Sequence, residues 1–107
     1  MGIKMYLAVG IQSYYKNGNK EKIFSYKNGK LSGPYTFYYP DGGIKRTGSF
    51  KNDKDSGISR KYYKNGKLAL EEFYNESGIQ EGEVKFYNKR GKLKRVEILY
   101  NGKRKKD

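Results

Sequence analysis

A period of 24 residues runs through this chain and limits what it can fold into more than any other feature. Aromatic doublets fall at Tyr14-Tyr15, Tyr38-Tyr39, Tyr62-Tyr63 and Phe86-Tyr87. Each leads into a turn: Lys16-Asn17-Gly18, Pro40-Asp41-Gly42, Lys64-Asn65-Gly66, and Asn88-Lys89-Arg90-Gly91, which reads as one residue longer. Asn-Gly and Asp-Gly are the preferred centre of a two-residue hairpin turn, which needs positive φ at both positions. An aliphatic side chain follows two residues after the glycine at Ile44, Leu68 and Leu93, where the first copy has Lys20. Each second segment ends in an aromatic (Tyr26, Phe50, Tyr74 or Tyr100), and a polar connection then closes on Gly33, Gly57 or Gly82.

The pattern predicts an all-β chain: an antiparallel meander of about eight short strands, built from four hairpin repeats of about 24 residues. They form a single, twisted, elongated sheet. The expected units are a lead-in strand at 1–9, repeats at 10–32, 33–56, 57–81 and 82–102, and a mobile basic tail at 103–107. No window suits a helix, because 14 glycines interrupt 107 residues and the tyrosines, isoleucines and threonines favour pleated surfaces. In such stacks each unit is stabilised by its neighbours, so one copy alone should not fold.

A chain this small and this short of Leu, Ile and Val must bury aromatics to fold. Adjacent tyrosines point to opposite sides of a strand. One column of the doublets is therefore expected inside, the one with Tyr14, Tyr38, Tyr62 and Phe86. The other, Tyr15, Tyr39, Tyr63 and Tyr87, is left as an exposed strip.

The net charge is +13, from 24 Lys and Arg against 11 Asp and Glu. Residues 57–88 balance, while residues 89–107 carry nine basic and two acidic side chains. Such a field draws in anionic partners. The chain has no Cys and no His, which excludes disulfides, thiolate chemistry and the usual general base. Glu71 and Glu72 are adjacent and diverge on a strand; Glu81 and Glu83 flank Gly82 in a connection. Neither pair suits acid–base catalysis. The expectation is a non-enzyme without metal or cofactor. The run Asp53-Lys54-Asp55-Ser56-Gly57 reads as a turn, since Lys64 stands where a calcium loop needs its last carboxylate. No apolar run is long enough for a membrane helix, and no signal peptide is expected. Without cysteine, a cytoplasmic location is expected.

The succession Tyr-Tyr-Lys-Asn-Gly-Lys-Leu at 62–68, then an aromatic, an Asn-Gly and a closing glycine, resembles the MORN repeat (membrane occupation and recognition nexus), in the variant common in bacterial proteins. The resemblance spans roughly residues 10–102. It implies a binding module similar to antitoxin or immunity components, with phospholipid binding and scaffolding as the roles of eukaryotic relatives. Asp53, in place of a turn glycine, departs from the pattern.

These readings nominate Tyr15, Tyr39, Tyr63 and Tyr87 as binding residues, together with Lys61, Lys85, Lys94, Arg95, Lys103 and Arg104. The first expected partner is a protein with an acidic face, such as a cognate toxin, because a strongly cationic chain repels a basic one. Anionic lipid is the second, and single-stranded nucleic acid ranks below it. Open sheet ends would also allow homodimers through their edges.

Overall fold

The computed structural model describes residues 8–104. The long strands are β1 (Ala8–Tyr14), β2 (Lys20–Lys27), β4 (Gly33–Tyr38), β5 (Ile44–Lys51), β7 (Gly57–Tyr62), β8 (Leu68–Tyr74), β9 (Gly82–Tyr87) and β10 (Leu93–Tyr100). They follow one another across one antiparallel sheet in chain order. Three two-residue strands, β3 (Lys30–Leu31), β6 (Lys54–Asp55) and β11 (Lys103–Arg104), fold back on the ends of β2, β5 and β10. The expected all-β meander of eight strands is present, with these three short additions. Its extents are 56 × 40 × 15 Å, and its radius of gyration is 16.4 Å. A compact chain of this length would have about 13 Å. Among the described residues there is one sheet and no second layer, which leaves both faces wet.

The two kinds of corner are exchanged relative to the sequence reading. After each doublet, only the glycine is left-handed: Gly18, Gly42, Gly66 and Gly91 have φ of 91°, 97°, 88° and 89°. The glycine N–H donates to the carbonyl three residues back, on Tyr15, Tyr39, Tyr63 or Asn88, at 2.9–3.0 Å. These are three-residue loops, a turn closed by a left-handed bulge residue. Asn17, Asp41 and Asn65 keep negative φ and instead accept, through Oδ1, the backbone N–H two residues on, each at 2.9 Å. The two-residue turns with both positions left-handed lie at the opposite ends of the strands. They are Asn28-Gly29 (52°, 79°), Asn52-Asp53 (51°, 71°) and Asn101-Gly102 (50°, 77°).

The fourth turn is not longer than the others. The extra residue lies upstream, where Asn75-Glu76-Ser77-Gly78 forms a three-residue loop in place of a two-residue turn, with Gly78 N–H bonded to the Asn75 carbonyl at 2.9 Å. Everything after it is displaced by one. Tyr87 is thereby the counterpart of Tyr62, Phe86 that of Lys61, and Asn88 stands where Tyr15, Tyr39 and Tyr63 stand. The doublet Phe86-Tyr87 is a coincidence of position within the 24-residue count.

Neither column of doublets forms the core. Tyr14 is 56 % exposed and its counterparts are half-buried. The doublets sit at strand ends, beside the loops, where few neighbours cover them. Burial peaks at mid-strand instead, on Tyr35 (2 %), Ser59 (1 %), Val84 (5 %) and Glu72 (7 %). All four lie on one side, here the front face. Tyr35 stacks on Phe50 with centroids 4.3 Å apart and leans on Phe37 at 4.9 Å. Large and absent side chains alternate across the strands: Gly33 faces Phe50, Tyr35 faces Gly48, and Gly57 faces Tyr74. Of these, the Tyr35 ring lies over the bare backbone of Gly48.

A cationic row across the front face

Direct strand pairing aligns one residue per strand into a continuous row on the front face. It runs Ser13–Lys22–Phe37–Arg46–Lys61–Leu70–Phe86–Arg95. From Lys22 to Arg95 the row crosses six strand spacings, about 29 Å. It holds four cations and no carboxylate. Lys22 Nζ lies 5.9 Å from the Phe37 centroid, and the Arg95 guanidinium lies 4.0 Å from that of Phe86. Each aromatic thus carries a cation over its face, an arrangement that fixes the charge without neutralising it.

The carboxylates of the neighbouring rows are already engaged. Arg46 Nη2 lies 3.5 Å from Asp55 and 3.4 Å from Glu72. Glu72 also accepts from Gln80 Nε2 at 2.7 Å, and Tyr35 Oη donates to Asp55 at 2.5 Å while accepting from Arg46 Nε at 2.9 Å. The network joins the second repeat to the third through side chains. Burial raises the Tyr35 hydroxyl above its ordinary value, with the Asp55 hydrogen bond adding to the effect. Burial likewise raises Tyr74, followed by the charge of Glu72. For Arg46 the largest influence is burial, which opposes its charge; its contacts to Tyr35, Tyr74 and Asp55 outweigh that and hold it charged. On the far side, Glu97 is held by Arg104 at 2.5 Å and Arg95 at 3.2 Å. With its carboxylates occupied, the front face keeps Lys22 and Lys61 exposed with no carboxylate partner among the described residues, and Arg95 exposed while sharing Glu97 with Arg104.

Three of the four nominated tyrosines join adjoining repeats. Tyr15, Tyr39 and Tyr63 donate their hydroxyls to the backbone carbonyls of Tyr38, Tyr62 and Tyr87, at 2.5, 2.6 and 2.6 Å. Each is a brace from one repeat to the next. Asn17 and Asn65 add a second tie, from Nδ2 to the Pro40 and Lys89 carbonyls at 2.8 Å. Two ring faces still border a shallow cleft of about 370 Å³ lined by Tyr39, Tyr63, Lys64, Asn65 and Lys89. Lys45 and Lys64 stand 5.9 and 6.0 Å from the Tyr39 centroid.

Of the nominated residues, Lys61 and Arg95 lie in the row, and Arg104 reaches its edge through Glu97. Tyr87 and Lys85 lie on the back face, where Lys85 pairs across the strands with Glu71 and Val96. Lys94 occupies the bulge between Leu93 and Arg95. Lys103 and Arg104, read as the start of a mobile tail, form β11; residues 105–107 of that tail lie outside the described residues. The sequence reading missed Lys22, Phe37, Arg46 and Phe86. Counting by 24 from residue 22, and by 25 across the longer loop, would have aligned 22, 46, 70 and 95, and likewise 37, 61 and 86. Glu71 and Glu72 do diverge: Glu71 meets Arg60 at 2.8 Å on the back, and Glu72 meets Arg46 on the front.

Four segments, residues 10–28, 31–52, 56–76 and 80–101, match the MORN repeat variant, and together they cover well over half of the chain. The chain belongs to the MORN repeat family. Searches of curated proteins and of solved structures give no significant match. MORN repeats are binding modules, not catalytic units, and in this MORN chain the matched segments contain all eight long strands apart from two residues at the start of β1. Among the described residues no helix is long and apolar enough to cross a membrane.

Proposed function

We propose that this MORN chain is a protein-binding factor that docks an acidic face of its partner on the front-face row, as an antitoxin or immunity protein covers a toxin. The observation that carries this reading is the unbroken row from Lys22 to Arg95, with its nearby carboxylates already engaged. A flat line of cations suits carboxylates presented by a folded surface. Bases would need the ring faces of Phe37 and Phe86, which Lys22 and Arg95 occupy, so nucleic acid fits less well.

The test compares three immobilised probes at moderate salt: poly-glutamate, vesicles containing phosphatidylserine, and oligothymidine. The reading expects retention on poly-glutamate that disappears in a Lys22→Glu, Lys61→Glu double variant. Retention only on vesicles or only on DNA would overturn it. For the antitoxin role, co-expression should restore growth to cells poisoned by the adjacent gene's product; unrelieved poisoning would count against that role.

A further inference from the structure

Among the described residues, the outward side of β10 is unpaired before Leu99. Ser25, Ser49 and Phe73 turn their carbonyls away from the preceding strand, accepting from the N–H of Ser32, Ser56 and Glu81 at 3.0, 2.9 and 3.0 Å. Strand alternation places the N–H and C=O of Ile23, Thr47 and Glu71, two residues earlier, on that same side. Each of these three pairs with the next repeat's first strand, at Thr36, Arg60 and Lys85. Val96 is their counterpart in β10. Its N–H and C=O face outward, its side chain is 41 % exposed, and among the described residues no strand pairs with that side of β10 before Leu99, where β11 begins.

We infer that this edge takes an extended, acidic segment of a partner protein as an added strand, paired antiparallel at Arg95 and Val96. The inner repeats supply the geometry, since the same backbone groups accept a strand three times within this chain. Charge supplies the occupant. Residues 89–107 carry nine basic and two acidic side chains, and Lys94, Arg95, Lys103 and Arg104 flank the vacancy. A second copy meeting β10 with its own β10 would bring two such regions together, which exposed edge lysines normally prevent. A copy joined head to tail would lack the tyrosine brace, because Asn88 replaces the tyrosine at the end that would need it. Strand addition gives affinity through main-chain hydrogen bonds and selectivity through alternate side chains. An alternating acidic segment would set one carboxylate against Arg95 on the front face and place the next position beside Glu97, which Arg95 and Arg104 already hold.

The inference rests on the acidic-partner reading and shares Arg95 with the end of the row, but Lys22 and Lys61 lie strands away from the edge, and its test separates the two. The probe is an eight-residue peptide alternating Glu with Val and Thr, titrated into the full chain beside a version carrying Lys in place of Glu. The Glu peptide should bind and the Lys peptide should not. Val96→Pro removes only an outward N–H, leaves the β9–β10 ladder bonded, and should weaken the Glu peptide by about tenfold or more with the melting temperature retained. Val96→Thr should bind as the parent does. The Lys22→Glu, Lys61→Glu variant should keep the peptide, since neither lysine lies on β10 or next to it. Binding unchanged in Val96→Pro would overturn the inference, and binding lost only in the row variant would overturn it while sparing the acidic-partner reading. No acidic probe bound by either site would end both. A concentration-dependent dimer abolished by Val96→Pro would assign the edge to a second copy instead.

Discussion

The Tyr35 ring lies over the backbone of Gly48, in the space that a Cβ on Gly48 would fill. The two face each other directly across β4 and β5. At the same cross-strand position the other repeats pair Ile11 with Phe24, Ser59 with Glu72, and Val84 with Glu97. The second repeat therefore puts its volume on one strand and leaves the other bare.

That exchange predicts strong coupling between the two sites. Gly48→Ala should destabilise the chain by about 1–3 kcal/mol through overpacking. In a Tyr35→Val background the same change should cost far less, so a double-mutant cycle should show an interaction of roughly 1–2 kcal/mol. Additive costs in denaturant melts would mean that the ring does not depend on the missing Cβ.

Tyr39→Phe keeps the ring and removes its hydrogen bond to the Tyr62 carbonyl. The expected loss is about 1 kcal/mol, more if the half-buried carbonyl finds no water. Because the bond joins consecutive repeats, hydrogen exchange should accelerate at Tyr62 and its neighbours as well as beside residue 39. Acceleration confined to residue 39's own hairpin would count against its role as a brace.

Asp53 combines a left-handed backbone, with φ of 71°, and an Oδ1 that accepts the Leu31 N–H at 2.8 Å. Its own N–H donates to the Leu31 carbonyl at 3.1 Å. Asp53→Ala should lose both the side-chain bond and the tolerance of positive φ, about 1–2 kcal/mol together. Asp53→Gly should lose less, since glycine adopts the turn freely. Equal melting points for the two variants would show that backbone conformation contributes nothing here.

Alkaline pH should expose the buried hydroxyl. Tyr35 has a raised value in the folded chain and an ordinary one, near 10.0, when unfolded. Its stabilising contribution is therefore complete below about pH 10 and is lost as pH rises through the raised folded value. Unfolding free energy should fall between pH 9 and pH 11 more steeply for the parent than for Tyr35→Phe. Parallel slopes would remove Tyr35 as the responsible group.

The repeat, its strand count and its single sheet were legible in the residues because turn glycines, β-branched residues and aromatics all recur on one period. The corner types were not. Asn17-Gly18 and Asn28-Gly29 are the same dipeptide, yet only the second is left-handed at both positions, and the difference is set by how many residues the flanking strands leave for the loop. The row escaped notice for a related reason. An aromatic doublet draws attention at Phe86-Tyr87, while the longer loop at Asn75 silently moves the register by one. That shift transfers Phe86 to the position of Lys61, and Tyr87 to the back face. Burial at Ser59 and Glu72 had no signal in their own chemistry; it follows from the central place of β7 and β8 in the sheet.

Amide chemical-shift mapping tests the front face as the proposed binding surface most directly. Poly-glutamate titrated into the labelled chain should perturb residues of the row, above all Lys22, Lys61 and Arg95, with shifts that shrink as salt rises. Perturbations centred on the back face, around Arg60, Lys85 and Tyr87, or spread evenly over every exposed lysine, would contradict it.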